Sequence, residues 1–317
     1  MKLTKKEIKS ISLNYNLGEP FKINKIDDDI GLINTNFILH TDKGKFVLRF
    51  LRKNADDKYI EERKLEFRVI NFLKENKYPY DVSLPIKNNK KEIISSLRKR
   101  KFWVYRYIDG EKKKKLNNIQ VKEIAKALSI YHKVVSNIKG NNNPHKLDWL
   151  LDKYRKMRVA NRRNKLNKIM LKNLDYFQKN LDEVLKIKFE GETLPIHADF
   201  HQGNIIFKGN KVIGILDFDN ISNSLKNKDI ANSIKSVCRI NDYLDEKKIR
   251  VYLTEYKKYN ILTKGEIEMI KPLIIKNYCI TFWWAYEGKM KDESKREFLM
   301  GWAYNGLKSV EKVDISL

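Results

Sequence analysis

Residues 196–206 read Ile196-His197-Ala198-Asp199-Phe200-His201-Gln202-Gly203-Asn204-Ile205-Ile206, and residues 213–219 read Ile213-Gly214-Ile215-Leu216-Asp217-Phe218-Asp219. The first stretch has the spacing H-x-D-x-x-x-x-N. The second is an apolar run that ends in acids, with Asp217 thirteen residues after Asn204. A lone Asp and Asn five apart would read as capping residues of a β-hairpin, because Asn is common in this chain. The joint set of His197, Asp199, Asn204 and Asp217, with an apolar strand before each acid, does not fit that reading. The chain holds only five His, and one falls where the pattern needs it. His197 and His201 lie four apart, but strand residues before them and Gly203 after them predict a loop rather than a helix face. No zinc site is expected, since zinc wants three or four protein ligands.

The two stretches match the catalytic loop and the metal-binding acid of the kinase pattern. Phosphoryl transfer needs a carboxylate beside the attacking hydroxyl and further oxygen ligands about a metal's width away. A loop of five residues turns Asp199 toward a substrate and Asn204 toward Mg²⁺, which prefers oxygen ligands. Asp217, on the following strand, reaches the same ion. With these motifs in hand, the chain resembles the aminoglycoside phosphotransferase and choline kinase superfamily, and it looks most similar to the homoserine kinases of that superfamily.

The resemblance implies an α+β, protein-kinase-like, two-lobed fold with ATP and Mg²⁺ as cofactors. It implies a catalytic pair in Asp199 and His197, and metal binding by Asn204, Asp217 and Asp219. Gly31 to Leu39 resembles the hairpin that covers the ATP phosphates, which brings Asn34 and Asn36 to the nucleotide. Arg49, in Phe46-Val47-Leu48-Arg49, stands where the family carries a phosphate-binding lysine. Arg keeps the charge but adds a fork of donors, so the exchange is not neutral. Lys45 and Lys53 are weaker substitutes. Glu66 is expected to pair with Arg49, with Glu62 one turn earlier as the fallback. Tyr105 and Tyr107 fall in the hinge that would hydrogen-bond adenine. His132 resembles a packed family histidine, and Asp229 resembles an aspartate that braces the catalytic loop.

Outward from these motifs the chain changes character once. Phe21 to Asp29 reads as a strand. Two β-rich runs around Asp42-Lys43-Gly44 read as a hairpin. Ile60 to Lys77 has helical periodicity. Leu84 to Ile86, Ile93-Ile94 and Phe102 to Ile108 read as strands. Beyond this the chain is mostly helical, with helices predicted over 121–135, 147–187 and from about 229 to the end. A small β island covers Leu194 to Ile196, Asn204 to Phe207 and Val212 to Phe218. The predicted organisation is an ATP-binding lobe at 1–106 with one main helix, a hinge at 104–109, and a catalytic and substrate lobe at 107–317.

Composition bounds the rest. The 317 residues carry 66 Lys and Arg against 40 Asp and Glu, a net charge of +26, with 42% hydrophobic residues. That is enough apolar material for a core. The Lys, Asn and Ile richness reads as a genome-wide bias. The basic runs at Arg98 to Lys101, Lys112 to Lys115 and Lys153 to Lys172 lack aromatic interleaving, so nucleic acid is not an expected partner. Two Cys give no disulfide framework, and no apolar run is long enough for a membrane span; Leu273 to Tyr286 is broken by Lys276 and Asn277. The chain therefore reads as a cytoplasmic monomer or homodimer. Its partner is a small molecule carrying a hydroxyl, to which the ATP γ-phosphate is transferred. Homoserine is the first candidate. Aminoglycosides and choline or ethanolamine are the alternatives, with Trp283, Trp284 and Tyr286 as a possible cation–π cage. A kinase-fold regulatory protein without turnover is the further alternative.

Overall fold

Alternation of apolar residues in two facing strands sets the first part of the fold. In the computed structural model, residues 1–26, 34–51, 57–138, 152–157, 168–287 and 293–315 are described. The chain starts with helix α1 (Lys5–Asn14), followed by strands β1 (Pro20–Lys25), β2 (Thr35–Thr41) and β3 (Gly44–Phe50). β2 and β3 form the expected hairpin, in register from Thr35↔Phe50 to Thr41↔Gly44. Gly44 closes the turn at φ +122°, a conformation open to glycine. Successive side chains of β3 point to opposite faces. Phe46, Leu48 and Phe50 pack with Ile11, Tyr15 and Leu17 of the α1 segment, whereas Val47 and Leu51 pack with Phe67, Trp103 and Tyr105. Arg49 shares the second face, which turns its guanidinium toward helix α2 (Asp57–Glu75).

The rest of this sheet comes from β5 (Pro85–Ile86), β6 (Ser95–Leu97) and β7 (Arg100–Arg106). The strand order is β1-β2-β3-β7-β5, with β6 also on β7. The strand expected at Ile93-Ile94 lies two residues later. Arg98 and Lys99 take φ +49° and +63° in a two-residue turn, and that turn fixes Ser95 opposite Phe102. The basic run here is structural: Arg98 clamps Glu7 of α1 with two 2.6 Å bonds, and Arg100 donates to the Leu51 carbonyl. The predicted strand over 21–29 covers Pro20–Lys25, and its last three residues lie outside the described ones, as do Gly31 and Lys53.

Strand β4 (Asp81–Val82) pairs in parallel with the end of β10 (Lys211–Ile215), Gly214 facing Asp81. A side chain at Gly214 would lie 2.8 Å from Ile108, so only glycine permits this approach. The chain divides into two units, Met1–Glu111 with Ile213–Asp219, and Lys112–Val212 with Asn220–Leu317. The first is the strand-rich unit just described.

The second unit is mostly helical. Helix α3 (Asn118–Val135) begins with a capping box of Asn117 and Gln120, and buries Val121, Ile124, Ala125, Leu128, Tyr131, His132 and Val135, the predicted face. It packs on α6 (Glu246–Tyr256). A core forms where α4 (Lys168–Leu185) meets α8 (Ile270–Glu287): Phe177 and Phe282 stack with centroids 4.0 Å apart. Leu273 to Tyr286 is thus a core helix, and no described helix is long and apolar enough to cross a membrane. Helix α9 (Glu293–Val310) packs on α8, as does α5 (Lys226–Val237). The β island is present as β8 (Thr193–Ile196), β9 (Ile205–Lys208) and β10. Strand β11 (Ser222–Leu225), antiparallel to β8, is an addition to the expected set, as is the small hairpin of β12 (Arg239–Ile240) and β13 (Tyr243–Leu244).

Candidate active site

The loop after β8 is pinned from below by one buried carboxylate. Asp229 accepts from the His197 amide at 2.8 Å, the Ala198 amide at 3.0 Å and His132 Nε2 at 3.1 Å. The Tyr256 hydroxyl lies 2.7 Å from His132 Nδ1, so a neutral His132 with its proton on Nε2 satisfies both neighbours. Asn232 donates to the Ala198 carbonyl at 2.8 Å. Ala198 is held at φ +63°, where a residue with a Cβ is destabilised by roughly 1–2 kcal/mol. Five hydrogen bonds to two adjacent residues and their brace offset that strain.

Above this brace the loop turns Asp199 and Asn204 together. Asn204 Nδ2 donates to the Asp199 carbonyl at 3.0 Å and to its carboxylate at 3.1 Å. The Gly203 amide donates to His201 Nδ1 at 3.0 Å, which leaves the proton on Nε2, 3.4 Å from Asp199 Oδ1. A Cβ at Gly203 would come within 2.7 Å of the His201 ring. The Asp199 amide donates to Nδ1 of buried His197 at 3.3 Å. Burial pushes the Asp199 carboxyl up, but the His201 and Asn204 hydrogen bonds and the nearby histidines outweigh it and hold the group below its ordinary value. Asp199 is therefore an anion at neutral pH with a fixed rotamer.

The other candidates lie in the strand-rich unit. Asp217 sits at φ +64° just after β10, and Arg49 Nη2 bonds Asp217 Oδ1 at 3.0 Å and Asp219 Oδ2 at 2.5 Å. Asn34 Nδ2 donates to the same Asp219 oxygen at 2.9 Å. Asn36 stands opposite Arg49 in the β2–β3 register, and the guanidinium lies 5.6 Å from the Trp103 ring centre. Glu66 is bonded by Arg63 at 3.2 Å, and Arg63 Nη1 also lies 3.2 Å from Asp219 Oδ1. Glu66 thus pairs directly with Arg63, one turn away on the same helix face, while Arg49 pairs with Asp217 and Asp219. Arg63 is a site residue that motif spacing does not reveal; its signal is the shared face of residues 63, 66, 67 and 70. Burial and the Asp219 charge push the Glu66 carboxyl up to about 8, against the pull of Arg49 and Arg63. Burial likewise pushes the Tyr105 phenol up to about 12. The Tyr107 amide donates to the Lys45 carbonyl at 3.0 Å, and Lys45 itself pairs with Asp109 at 3.0 Å.

The donor chemistry of Asp217 and Asp219 in the strand-rich unit suits a hard divalent cation. Mg²⁺ uses one or two carboxylates and completes its shell from phosphates and water. Asn34 Oδ1 is buried without a hydrogen bond, whereas Asp219 Oδ1 faces Arg63 Nη1 at 3.2 Å. Among the described residues no group of three or more His, Cys, Asp or Glu converges to hold a metal ion. Of the aromatic trio at the end of α8, Trp283 has the Lys153 ammonium 5.5 Å from its ring centre and Trp284 is exposed.

A braced Asp-x-x-x-x-Asn loop and an acid after a strand define a phosphoryl-transfer enzyme. The chain belongs to the phosphotransferase enzyme family, whose model matches residues 28–261. It is 26% identical to the homoserine kinase of Bradyrhizobium diazoefficiens over 290 residues, covering 87% of this chain and 82% of that one. It is also 26% identical to the homoserine kinase of Methylobacillus flagellatus, over 85% of this chain and 80% of that one. Among solved structures, an amicoumacin kinase in complex with AMP-PNP and Ca²⁺ aligns with TM-score 0.69 at 14% identity, over 98% of this chain and 93% of that one. A microcompartment-associated aminopropanol kinase aligns with TM-score 0.70 at 11% identity, over 98% and 99%. These neighbours establish the α+β, protein-kinase-like fold.

Proposed function

We propose that this phosphotransferase transfers the γ-phosphate of ATP to the hydroxyl of a small amino acid, with homoserine as the acceptor to test first. The observation that carries the reading is the Asp199 loop, an ionised carboxylate fixed by Asn204 and His201. Support for the acceptor comes from the homoserine kinase relatives, which match over more than 80% of both chains. In this reading residues 1–106 bind the nucleotide. Tyr105 and Tyr107 flank its base, Asn34 and Asn36 its phosphates, and Arg49 its α- and β-phosphates. Glu66 and Arg63 keep Arg49 and Asp219 in place. Asn204, Asp217 and Asp219 would hold Mg²⁺, which when bound neutralises charge on the phosphate oxygens. Asp199 orients the acceptor hydroxyl and takes its proton, and His197 keeps the Asp199 backbone in register. Free, buried Cys238 and Cys279 fit a reducing cytoplasm.

A second reading is favoured by one observation. Arg49 already engages both Asp217 and Asp219, as a protein that binds nucleotide without turnover would allow. An ADP-release assay with homoserine, choline, ethanolamine, aminopropanol and aminoglycosides separates the two. Turnover is expected with homoserine, and Asp199→Asn should lower it about 10²- to 10⁴-fold through lost general-base work. ATP binding with no ADP release from any acceptor overturns the enzymatic reading.

A further inference from the structure

One helical turn past the residues that brace the catalytic loop, α5 presents Lys235, and two residues beyond the end of α5 the start of β12 presents Arg239; among the described residues neither cation has a carboxylate in direct ion-pair contact. Asp229 and Asn232 hold His197 and Ala198; Lys235 follows Asn232 by three residues, and Arg239 follows Lys235 by four. Lys235 Nζ has one hydrogen bond, to Thr281 Oγ1 at 3.3 Å, and lies 5.6 Å from the Trp302 ring centre. Arg239 stacks on Trp302 at 4.2 Å and donates to the Tyr278 hydroxyl at 2.6 Å and to the carbonyl of Asp242. Arg239 Nε also donates to the Asn241 carbonyl at 3.4 Å, and the nearby Asp242 charge favours the guanidinium; among the described residues neither cation makes a direct ion pair with a carboxylate. The group of opposite charge that Lys235 feels is Asp199; burial nevertheless pushes its ammonium down to about 8, with Arg239 adding to the fall. Gly306 lets the Tyr278 ring take this position: a Cβ there would lie 2.3 Å from two of the ring carbons.

A half-buried pair of cations without an anion is unfavourable unless a ligand supplies one. Lys235 is on the helix whose Asp229 braces the Asp199 loop, and Arg239 lies two residues past the end of that helix, so the ligand the pair addresses is the phosphate acceptor. We propose that Lys235 and Arg239 form a subsite for the acceptor's carboxylate, which makes the substrate a hydroxy amino acid rather than an amino alcohol or a polycation. The carboxylate receives charge-assisted bonds from Lys235 and Arg239, with the hydroxyl end directed to Asp199. Arg239 can offer a planar fork, while Lys235 acts as a point charge. A polycationic acceptor would meet like charge at the same place. The inference rests on Asp199 being the residue that receives the hydroxyl.

The test compares L-homoserine with 3-amino-1-propanol, the same chain without its carboxylate. It uses the wild type, Lys235→Met, Arg239→Gln and the charge-keeping Lys235→Arg. ADP release gives kcat and KM, and calorimetric titration gives acceptor affinity independently of turnover. Wild type is expected to favour homoserine at least 100-fold in kcat/KM. Lys235→Met and Arg239→Gln should each raise its KM about 10- to 100-fold, as loss of a charge-assisted bond does. They should leave aminopropanol and ATP binding nearly unchanged, and Lys235→Arg should recover part of the loss. Equal losses for both acceptors, or equal use of both by the wild type, overturn the subsite. Carboxylate-dependent binding without ADP release keeps the subsite and overturns turnover. Failure of titration to detect homoserine binding overturns the subsite itself.

Discussion

Replacing Asp229 by asparagine changes two atoms of a buried group and tests whether one carboxylate organises the catalytic loop. Asp229 accepts three hydrogen bonds, from the amides of His197 and Ala198 and from His132 Nε2. An amide has one accepting oxygen. In its better orientation that oxygen keeps His197 and His132, and the new NH₂ faces the Ala198 amide, donor against donor. One charge-assisted bond, worth about 1.5–3 kcal/mol, is lost and two others fall to neutral strength, about 1 kcal/mol less each. The sum is about 3–5 kcal/mol, a large share of the roughly 5–15 kcal/mol that holds a domain folded. Urea unfolding followed by circular dichroism measures it. Because Ala198 is released from its left-handed conformation, Asp199 should also shift, and a misplacement of about 1 Å lowers kcat about 100-fold with little change in KM. A stability loss under about 1 kcal/mol together with unchanged kcat would refute the brace. Asp229→Asn that is destabilised but fully active would show that the carboxylate supports the fold and not the loop.

Other perturbations probe the remaining parts. Gly203→Ala places a Cβ against His201, so the ring must leave Asp199; activity should fall at least 10-fold while unfolding shifts by about 1–3 kcal/mol, and an unchanged pH–rate profile would count against it. Glu66 has its folded value raised to about 8, above the 4.5 of an unfolded carboxyl. Its contribution is therefore fully present below pH 4.5 and is lost as pH rises toward 8. Glu66→Gln should gain stability relative to the wild type across that window and hold the gain above it, by no more than a few kcal/mol, read as the difference in melting temperature between pH 5 and pH 8.5; a constant difference across pH would oppose the assignment. Gly306→Ala drives the Tyr278 ring away and removes the Arg239 bond, so KM for homoserine should rise with kcat nearly kept; a fall in kcat alone would contradict this.

What the sequence discloses of this fold depends on how local each feature is. The H-x-D-x-x-x-x-N loop closes within a few residues, so its type and spacing announce it, and the structure builds it from those residues. The β2–β3 hairpin is announced by a Gly at the one turn position that needs positive φ. Arg49 is placed by alternation in β3, since odd positions share the α2 face. Arg63 is different. Its role depends on α2 lying over the end of β10, a tertiary fact, and a lone Arg on a helix reads as solvated charge. Strand β11, Ser222-Asn223-Ser224-Leu225, has loop composition and is a strand only because β8 lies beside it. Helix α1 carries too little apolar residue to show a strong face, yet Thr4 and Glu7 form a capping box that is readable in principle. Ile93-Ile94 has strand-like composition, but these residues pack against the Trp103 cluster and the turn at Arg98-Lys99 sets the pairing instead.

The net charge of +26 poses the question of which cations carry information. An exposed lysine is solvated and free to accumulate with genome composition, so its presence argues little. A buried cation is constrained, because its desolvation must be offset. Lys226 meets that demand internally, with Glu192 at 2.8 Å and Glu266 at 3.1 Å, and so reads as architecture. Arg49 and Arg63 meet it with Asp217, Asp219 and Glu66, the acids of the strand-rich unit. Arg98 is exposed and carries no such demand; its pairing with Glu7 ties α1 to the sheet. Lys235 and Arg239 make direct contact with dipoles and rings only, with Asp199 and Asp242 acting on them from farther off. By the same rule that assigns the others to structure, this pair is assigned to a ligand, and the sign of the charge makes that ligand an anion. The carboxylate of a hydroxy amino acid supplies that anion.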